Sequence, residues 1–260
     1  MTAKNPTILA LDFDGVVCDG LIEYFEVAWR TYCQVWSSTQ QTPPENLANR
    51  FYRLRPVIET GWEMPVLIKA LIAGFTDDKI LQEWSNIAPQ ILAVDKIEPK
   101  VVAKKLDGLR DEWISTDLDG WLSLHRFYPG VIEKLKKVIN SEVKLFIVTT
   151  KEGRFVKNLL QREGLKLADT AIFGKEVKRP KYETLRGLIA QEKNQPVSLW
   201  FMEDRLKTLE LVKQQSDLDH VQLFLADWGY NTPSEREAGE NDDRIQVISL
   251  DQFSQDFSRW

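Results

Sequence analysis

The sequence predicts an α/β protein in which a long helical insertion follows the first strand of a mostly parallel sheet. Apolar runs typical of buried strands occur at residues 8–11, 143–148, 197–202 and 221–226. Helical patterns separate the last three runs, and this alternation favours right-handed βαβ crossovers with helices on both faces of the sheet. Residues 20–126 have helical periodicity but no strand pattern of similar strength.

The second half of the chain completes this alternation. Helices are expected over residues 131–139, 154–163, 181–191 and 206–214, and short strands over residues 170–173 and 245–248. A closing helix begins at Asp251. Residues 231–244 are acidic and contain glycine, so we expect an exposed loop there.

The insertion is expected to form a separate helical domain. Its helical patterns cover residues 21–35, 56–73, 77–88 and 98–112. The predicted organisation is therefore an α/β core domain, residues 1–19 and 127–260, and a helical domain, residues 20–126. A chain of 260 residues is long enough for both.

Composition excludes several classes of function. Lys and Arg number 34 against 39 Asp and Glu, a net charge of −5, so no nucleic-acid partner is expected. No apolar run has the length of a membrane span or signal peptide, so we expect no membrane partner and a cytoplasmic location. Two cysteines, Cys18 and Cys33, and two histidines, His125 and His220, lack the spacing of disulfide frameworks, zinc sites or nucleophilic triads. Any catalytic chemistry is therefore expected to come from carboxylates and lysines.

Two carboxylates end the first apolar run. Asp12 and Asp14 are separated by Phe13, so both side chains are expected on the same side of the strand. Gly15 allows a tight turn beside them. Like charges this close need a cation, and Mg²⁺ favours one or two carboxylates together with the oxygens of a substrate phosphate. The segment therefore predicts a magnesium site, and the alternative is an ordinary strand end and turn.

Polar residues also end the later apolar runs. Thr149 and Thr150 follow the second run and offer hydroxyl donors to a phosphoryl oxygen. The basic segment Lys178–Lys181 precedes a predicted helix, whose N-terminus attracts anions. Glu203 and Asp204 follow the next run as a second pair of acids. Because ligands bind beyond the carboxyl ends of parallel strands, these residues form the candidate site.

Together these groups resemble the four motifs of the haloacid dehalogenase superfamily, namely Asp-x-Asp-Gly, a strand ending in Thr, a Lys, and a strand ending in acids. The resemblance covers residues 7–19 and 127–260, and residues 224–230 are similar to a turn of phosphoglycolate phosphatase-like members. It implies a Rossmann-like parallel core and a helical cap, here residues 20–126, that closes over the site and selects the substrate.

The resemblance implies roles for the acids. Asp12 would attack phosphorus to form an aspartyl phosphate, and Asp14 would protonate the leaving oxygen and then deprotonate water. Asp12, the backbone carbonyl of Asp14 and Asp204 would hold Mg²⁺, with Glu203 near it. Thr208 stands where many relatives have another Asp, so the full set of metal ligands stays open.

Phosphate contacts would come from hydroxyls and a lysine. Thr149, with Thr150 beside it, would bind a phosphoryl oxygen, and the lysine would contact both that oxygen and Asp12. Two lysines fit the motif, since Lys178 heads a Lys-x-Pro sequence and Lys181 stands at the start of the predicted helix. We favour Lys181.

These features predict a Mg²⁺-dependent phosphatase that acts on a small phosphorylated metabolite. A phosphomutase of the β-phosphoglucomutase type is the enzymatic alternative, because Asp14 supports both reactions. The non-enzymatic alternative is a catalytically silent protein that keeps the fold and binds a partner. In the insertion, Arg50, Arg53 and Arg55 are candidates for contacts to an anionic leaving group, although such residues usually lie on solvated faces.

Overall fold

The computed structural model describes residues 5–40, 42–192 and 196–260. The chain divides into two units, Met1–Asp19 with Arg126–Trp260, and Gly20–His125. The first unit contains the sheet, and the second is built from helices. In the described residues, no helix combines the length and the apolar character that a bilayer crossing requires.

The sheet unit is predominantly parallel. Its strands, in chain order, are β1 (Ile8–Leu11), β2 (Cys18–Asp19), β3 (Arg126–Phe127), β4 (Lys144–Val148), β5 (Ile172–Phe173), β6 (Leu199–Glu203), β7 (Gln222–Ala226) and β8 (Ile245–Ile248). Six of them form a parallel sheet in the order β5-β4-β1-β6-β7-β8, while β2 and β3 pair antiparallel. The predicted α/β class with a parallel core is confirmed.

Strand β1 lies at the centre of the sheet because its residues are apolar on both faces. All four of them are at most 1% exposed. In the paired register, Leu11 is opposite Ile147 of β4 and Met202 of β6. The residues that follow β1 and β4 therefore meet the last residue of β6 at one edge of the sheet, where parallel α/β proteins bind their ligands.

The helices follow the predicted alternation in the sheet unit, whereas in the insertion their bounds differ from the predicted ones. In chain order they are α1 (Leu21–Val35), α2 (Leu47–Leu54), α3 (Glu63–Ile72), α4 (Asp77–Asp95), α5 (Pro99–Thr116), α6 (Leu118–Leu122), α7 (Val131–Ile139), α8 (Gly153–Arg162), α9 (Lys181–Gln191), α10 (Leu206–Lys213), α11 (Pro233–Glu240) and α12 (Leu250–Ser254). The pattern predicted for residues 56–73 begins only at Glu63 as an α-helix. Helix α4 runs seven residues beyond the predicted 77–88, through Pro89.

The prediction of an exposed loop over residues 231–244 is wrong, because α11 occupies most of that segment. A capping box starts the helix: Thr232 Oγ1 accepts from the Glu235 backbone N–H at 3.2 Å, and a Glu235 carboxylate oxygen accepts from the Thr232 backbone N–H at 2.7 Å. Gly239 packs closely, since a Cβ there would lie 3.1 Å from side-chain carbons of Leu225 and Val247. Acidic composition concealed this signal.

The helical unit has its own apolar core and a buried ion pair. Glu23 of α1 is 1% exposed and accepts from Arg110 Nε at 2.8 Å and from Trp121 Nε1 at 3.0 Å. Two of the arginines considered for an anionic leaving group pair with Asp77 at the start of α4: Arg50 Nε donates to it at 2.8 Å, and Arg53 donates at 2.8 Å.

Candidate active site

The turn after β1 brings its two acids to the carboxyl edge of the sheet. Asp12 is 6% exposed, and its backbone N–H donates to the Met202 carbonyl at 2.9 Å, which continues the pairing with β6 by one residue. Gly15 has a φ of 88°, in the left-handed region that favours glycine. A Cβ at Gly15 would lie 2.1 Å from Asp204 Oδ2. Glycine thus allows the first turn to pass directly against the second pair of acids.

Three carboxylates converge beside this turn. Asp12, Glu203 and Asp204 each offer an oxygen within 4.8 Å of the others, and all three side chains are buried. The Lys181 ammonium donates to Asp12 Oδ1 at 2.7 Å and to Glu203 Oε2 at 2.6 Å. The structure thus brings together four of the residues singled out from the sequence.

Burial sets the protonation of this cluster. The pKa of Asp12 is raised to about 7, chiefly by burial and then by the Glu203 carboxylate, against the opposing effect of Lys181. Burial likewise raises the pKa of Glu203 to about 7 and, together with Asp12, that of Asp204 to about 6. Burial alone would lower the pKa of Lys181, but its two carboxylate partners raise it above its ordinary value.

The donor set fits a hard divalent cation. All three converging groups are carboxylates, and oxygen ligands are those that Mg²⁺ prefers. With all groups ionised, three carboxylates and one ammonium leave two negative charges in a buried volume. A divalent cation would offset this charge.

Asp204 is held in place by a turn after β7. One of its carboxylate oxygens accepts from the Tyr230 backbone N–H at 2.7 Å, and its carbonyl accepts from Asn231 Nδ2 at 2.9 Å. A Cβ at Gly229 would lie 2.2 Å from the Asp204 Cβ, so only glycine permits this approach. The turn belongs to the 224–230 segment noted in the sequence, but the support that Asn231 gives to Asp204 was not predicted.

Asp14 has a lysine partner that the sequence reasoning did not assign. Lys151 Nζ lies 3.1 Å from Asp14 Oδ1 and 3.3 Å from Oδ2, and the Lys151 side chain is 9% exposed. Lys151 follows Thr149 and Thr150 at the end of β4, so its position at a strand end was the available signal. The two acids that follow β1 therefore have different cationic partners, Lys151 for Asp14 and Lys181 for Asp12.

The remaining candidates lie at the rim of this cluster. Thr149 is buried, and its hydroxyl oxygen accepts from the Lys151 backbone N–H at 3.2 Å, whereas Thr150 is exposed. Lys178 is exposed and has a φ of 52°. Within the described residues it has no carboxylate partner. Of the two lysines that fit the motif, Lys181 is the one that contacts Asp12.

Comparison with known proteins gives a family for this chain. Residues 74–214, more than half of the sequence, match the family described as Haloacid dehalogenase-like hydrolase. The matched region contains Thr149, Lys181, Glu203 and Asp204 but begins after Asp12. No curated protein matches the chain.

Solved structures with the same fold cover nearly all of it. A candidate phosphatase from Clostridium difficile superimposes with a TM-score of 0.61 at 14% identity, covering 96% of this chain and 97% of the other. A predicted phosphoglycolate phosphatase from Haemophilus somnus gives 0.58 at 15% identity, covering 99% and 97%. A candidate haloacid dehalogenase-like hydrolase from Bacteroides fragilis gives 0.57 at 17% identity, covering 95% and 99%. At these identities the likeness concerns the fold alone.

Proposed function

Because the chain belongs to the haloacid dehalogenase-like hydrolase family, we propose that it is a Mg²⁺-dependent phosphatase that hydrolyses a small phosphorylated metabolite through an aspartyl phosphate on Asp12. The observation that carries the proposal is the double contact of Lys181 with Asp12 and Glu203, at 2.7 and 2.6 Å, beside Asp204. This arrangement gives a buried nucleophilic carboxylate a cation of its own.

In the first step, an Asp12 carboxylate oxygen forms a bond to phosphorus while the bond from phosphorus to the ester oxygen breaks. Asp14 donates a proton to the departing oxygen, which leaves as an alcohol. In the second step, Asp14 takes a proton from water as the water oxygen attacks phosphorus, and Asp12 is released with inorganic phosphate. Lys151 Nζ lies 3.1 Å from Asp14 Oδ1. It keeps the Asp14 carboxyl group oriented while that group changes from acid to base between the two steps.

The surrounding groups stabilise the charge on the transferring phosphoryl group. Asp12 and Asp204, with Glu203 nearby, would hold Mg²⁺, which when bound neutralises negative charge on the phosphoryl oxygens. Thr149 donates a hydrogen bond to one of these oxygens, and Lys181 donates to another. We assign the helical residues 20–126 the role of a cap that selects the leaving group.

The test is phosphate release from 4-nitrophenyl phosphate with Mg²⁺, with EDTA, and with Mg²⁺ restored. We expect turnover only when the metal is present, and no turnover above background for Asp12→Asn, whose folding is checked by circular dichroism. Undiminished release in EDTA would contradict the metal assignment, and turnover by Asp12→Asn within about tenfold of wild type would place the nucleophile elsewhere.

Product analysis separates the alternatives. Release of inorganic phosphate from a sugar phosphate supports hydrolysis, whereas formation of an isomeric sugar phosphate supports the mutase reaction. Absence of both reactions, over a panel of sugar phosphates, phosphoglycolate and nucleoside monophosphates, would support the silent interaction protein.

A further inference from the structure

A cavity of about 330 Å³ lies in the sheet unit, next to the acid cluster. Part of its wall is formed by Thr149 and Lys181, which we propose to bind the phosphoryl group. Another part is formed by three basic residues of the segment between β5 and α9, namely Lys175, Lys178 and Arg179. None of the described residues of the lining is acidic.

Among the described residues, these three cations form no ion pair. In the described part of the chain, none of the three has a carboxylate within ion-pair distance. The nearest acid in sequence, Glu176, is not part of the lining, and its carboxylate accepts from the backbone N–H groups of Gly153 at 3.1 Å and of the lining residue Gly174 at 3.2 Å, so it forms no ion pair with these cations. A concave surface with several unpaired cations concentrates anions.

Arg179 is exposed, but one of its nitrogens is hydrogen-bonded to a buried residue. Its Nε donates to Thr184 Oγ1 at 3.0 Å, Thr184 is 2% exposed, and the guanidinium lies 5.9 Å from the centre of the Phe173 ring. Nε is therefore fixed while the two terminal nitrogens have no carboxylate partner in the described residues. A guanidinium fixed in this way loses little conformational entropy when it binds an anion.

Helix α9 adds positive potential at the same place. Its N-cap is Pro180, which provides no side-chain hydrogen bond to the first turn. The basic segment thus leads directly into the N-terminal end of this 11-residue helix, whose first turn has no capping side chain and carries positive partial charge.

We propose that this cavity binds a second anionic group of the substrate, so that the enzyme prefers phosphate monoesters whose leaving group carries a carboxylate or a further phosphate. The inference rests on the proposed function, because it takes the phosphoryl group to bind at Thr149 and Lys181. Arg179 binds the second anion through its terminal nitrogens, and Lys178 adds a further charge at the exposed side.

The test compares matched substrates that differ only in the second anion. Phosphoglycolate is paired with ethyl phosphate, and propane-1,3-diol bisphosphate with propyl phosphate, so that the two arms distinguish a carboxylate from a phosphate. The measured quantity is the ratio of kcat/KM for the charged and the neutral member of a pair. The ratio compares two substrates on the same variant. An effect of the substitution on the reaction at Asp12 therefore changes both kcat/KM values equally and leaves the ratio unchanged.

For wild type we expect a ratio of about ten or more in at least one pair, carried mainly by KM, since charge-assisted hydrogen bonds are the strong ones. Lys178→Gln should lower the ratio by about threefold, and Arg179→Gln by about tenfold. Arg244→Gln removes a guanidinium that pairs with Asp219, away from the cavity, and should leave the ratio unchanged. Thermal unfolding reports whether each variant folds.

A binding measurement makes the outcome independent of turnover. Calorimetric titration of Asp12→Asn with the same four compounds should give the same preference for the charged members, and the same loss with Arg179→Gln added. If no compound is hydrolysed, the proposed phosphatase function fails while the affinity ratio still decides on the cavity. A ratio near one in wild type, or an undiminished ratio in both Arg179→Gln and Lys178→Gln, would overturn the inference.

Discussion

Lys181→Met tests the central ion pair of the site. The substitution keeps an unbranched side chain of similar length but removes the ammonium that lies 2.7 Å from Asp12 and 2.6 Å from Glu203. The Lys181 side chain is only 13% exposed, and both carboxylates are nearly inaccessible, so solvent replaces little of the lost interaction. Breaking a buried pair by removing one partner costs about 3–5 kcal/mol.

This cost depends on pH in a direction that the structure determines. Without Lys181, the pKa of Asp12 rises above its present value of about 7, because the group that lowers it is gone. Below about pH 5 the carboxyls are protonated in the folded protein, so the variant loses little stability. Near pH 8 the carboxyls are ionised in the unfolded chain, whereas the folded variant must either keep them protonated or bury them as charges without a partner, so the full loss should be observed. Urea unfolding of metal-free protein at pH 5 and pH 8 measures both.

Catalysis should suffer as well, because a protonated Asp12 is a poor nucleophile. We expect kcat/KM for 4-nitrophenyl phosphate with saturating Mg²⁺ to fall about a hundredfold or more in Lys181→Met, which corresponds to roughly 2.7 kcal/mol of transition-state stabilisation. Lys178→Met is the matched control, since Lys178 is exposed and this substrate lacks a second anion, and its loss should be less than about fivefold.

Retention of kcat/KM within about fivefold of wild type in Lys181→Met, together with a hundredfold loss in Lys178→Met, would refute the role assigned to Lys181. That result would assign the motif lysine to Lys178. Near-normal activity in both single variants and in the double variant would remove the lysine from the proposed mechanism.

Three further outcomes are expected. Asp14→Asn should slow both the formation and the hydrolysis of an acid-stable phosphoenzyme by a factor of about 10² to 10⁴, whereas Asp12→Asn should form no phosphoenzyme. Equal phosphate labelling of the two variants in acid-quenched reactions would reject these roles. Gly229→Ala should lower the free energy of unfolding in urea by about 1–3 kcal/mol and weaken Mg²⁺ binding, because the new Cβ would lie 2.2 Å from that of Asp204. Gly108→Ala is the control: the space around Gly108 is open, so this variant should not be destabilised. Metal-free wild type should lose stability from about pH 5 to pH 8. Acids with pKa values of about 6 and 7 in the folded protein bind more protons there than they do in the unfolded chain. A rise in stability over this pH range, measured by calorimetry at constant ionic strength, would contradict this.

The sheet could be predicted because a parallel sheet with both faces covered needs continuous apolar strands. β1, β4, β6 and β7 are such runs, and the polar residues that follow them reach one edge by geometry alone. The helix α11 could not be recognised from composition, since its acidic residues are those of a loop. Its capping residues, Thr232 and Glu235, were the physical signal that composition hid.

Within the site, the sequence predicts residue types better than pairings. Lys178 and Lys181 are three residues apart, and the motif fits either of them. In the structure Lys178 lies in the left-handed region and Lys181 contacts Asp12. The contact of Lys151 with Asp14 spans 137 residues, so no local pattern encodes it. Long-range pairs of this kind follow from the sheet register, which a single sequence does not specify.

The central place of β1 also sets an order of assembly during synthesis. β1 leaves the ribosome first, yet its neighbours begin at Lys144 and Leu199. At about 5–20 residues per second, β6 follows β1 by roughly 10–40 s. The apolar cluster of the helical unit comes from residues 25–109, so we expect that unit to bury its core while the nascent β1 still has two open edges. Until β4 has been synthesised, the apolar strand β1 has no partner on either edge, and we expect chaperones that hold unfolded chains to bind the segment that ends in Asp12.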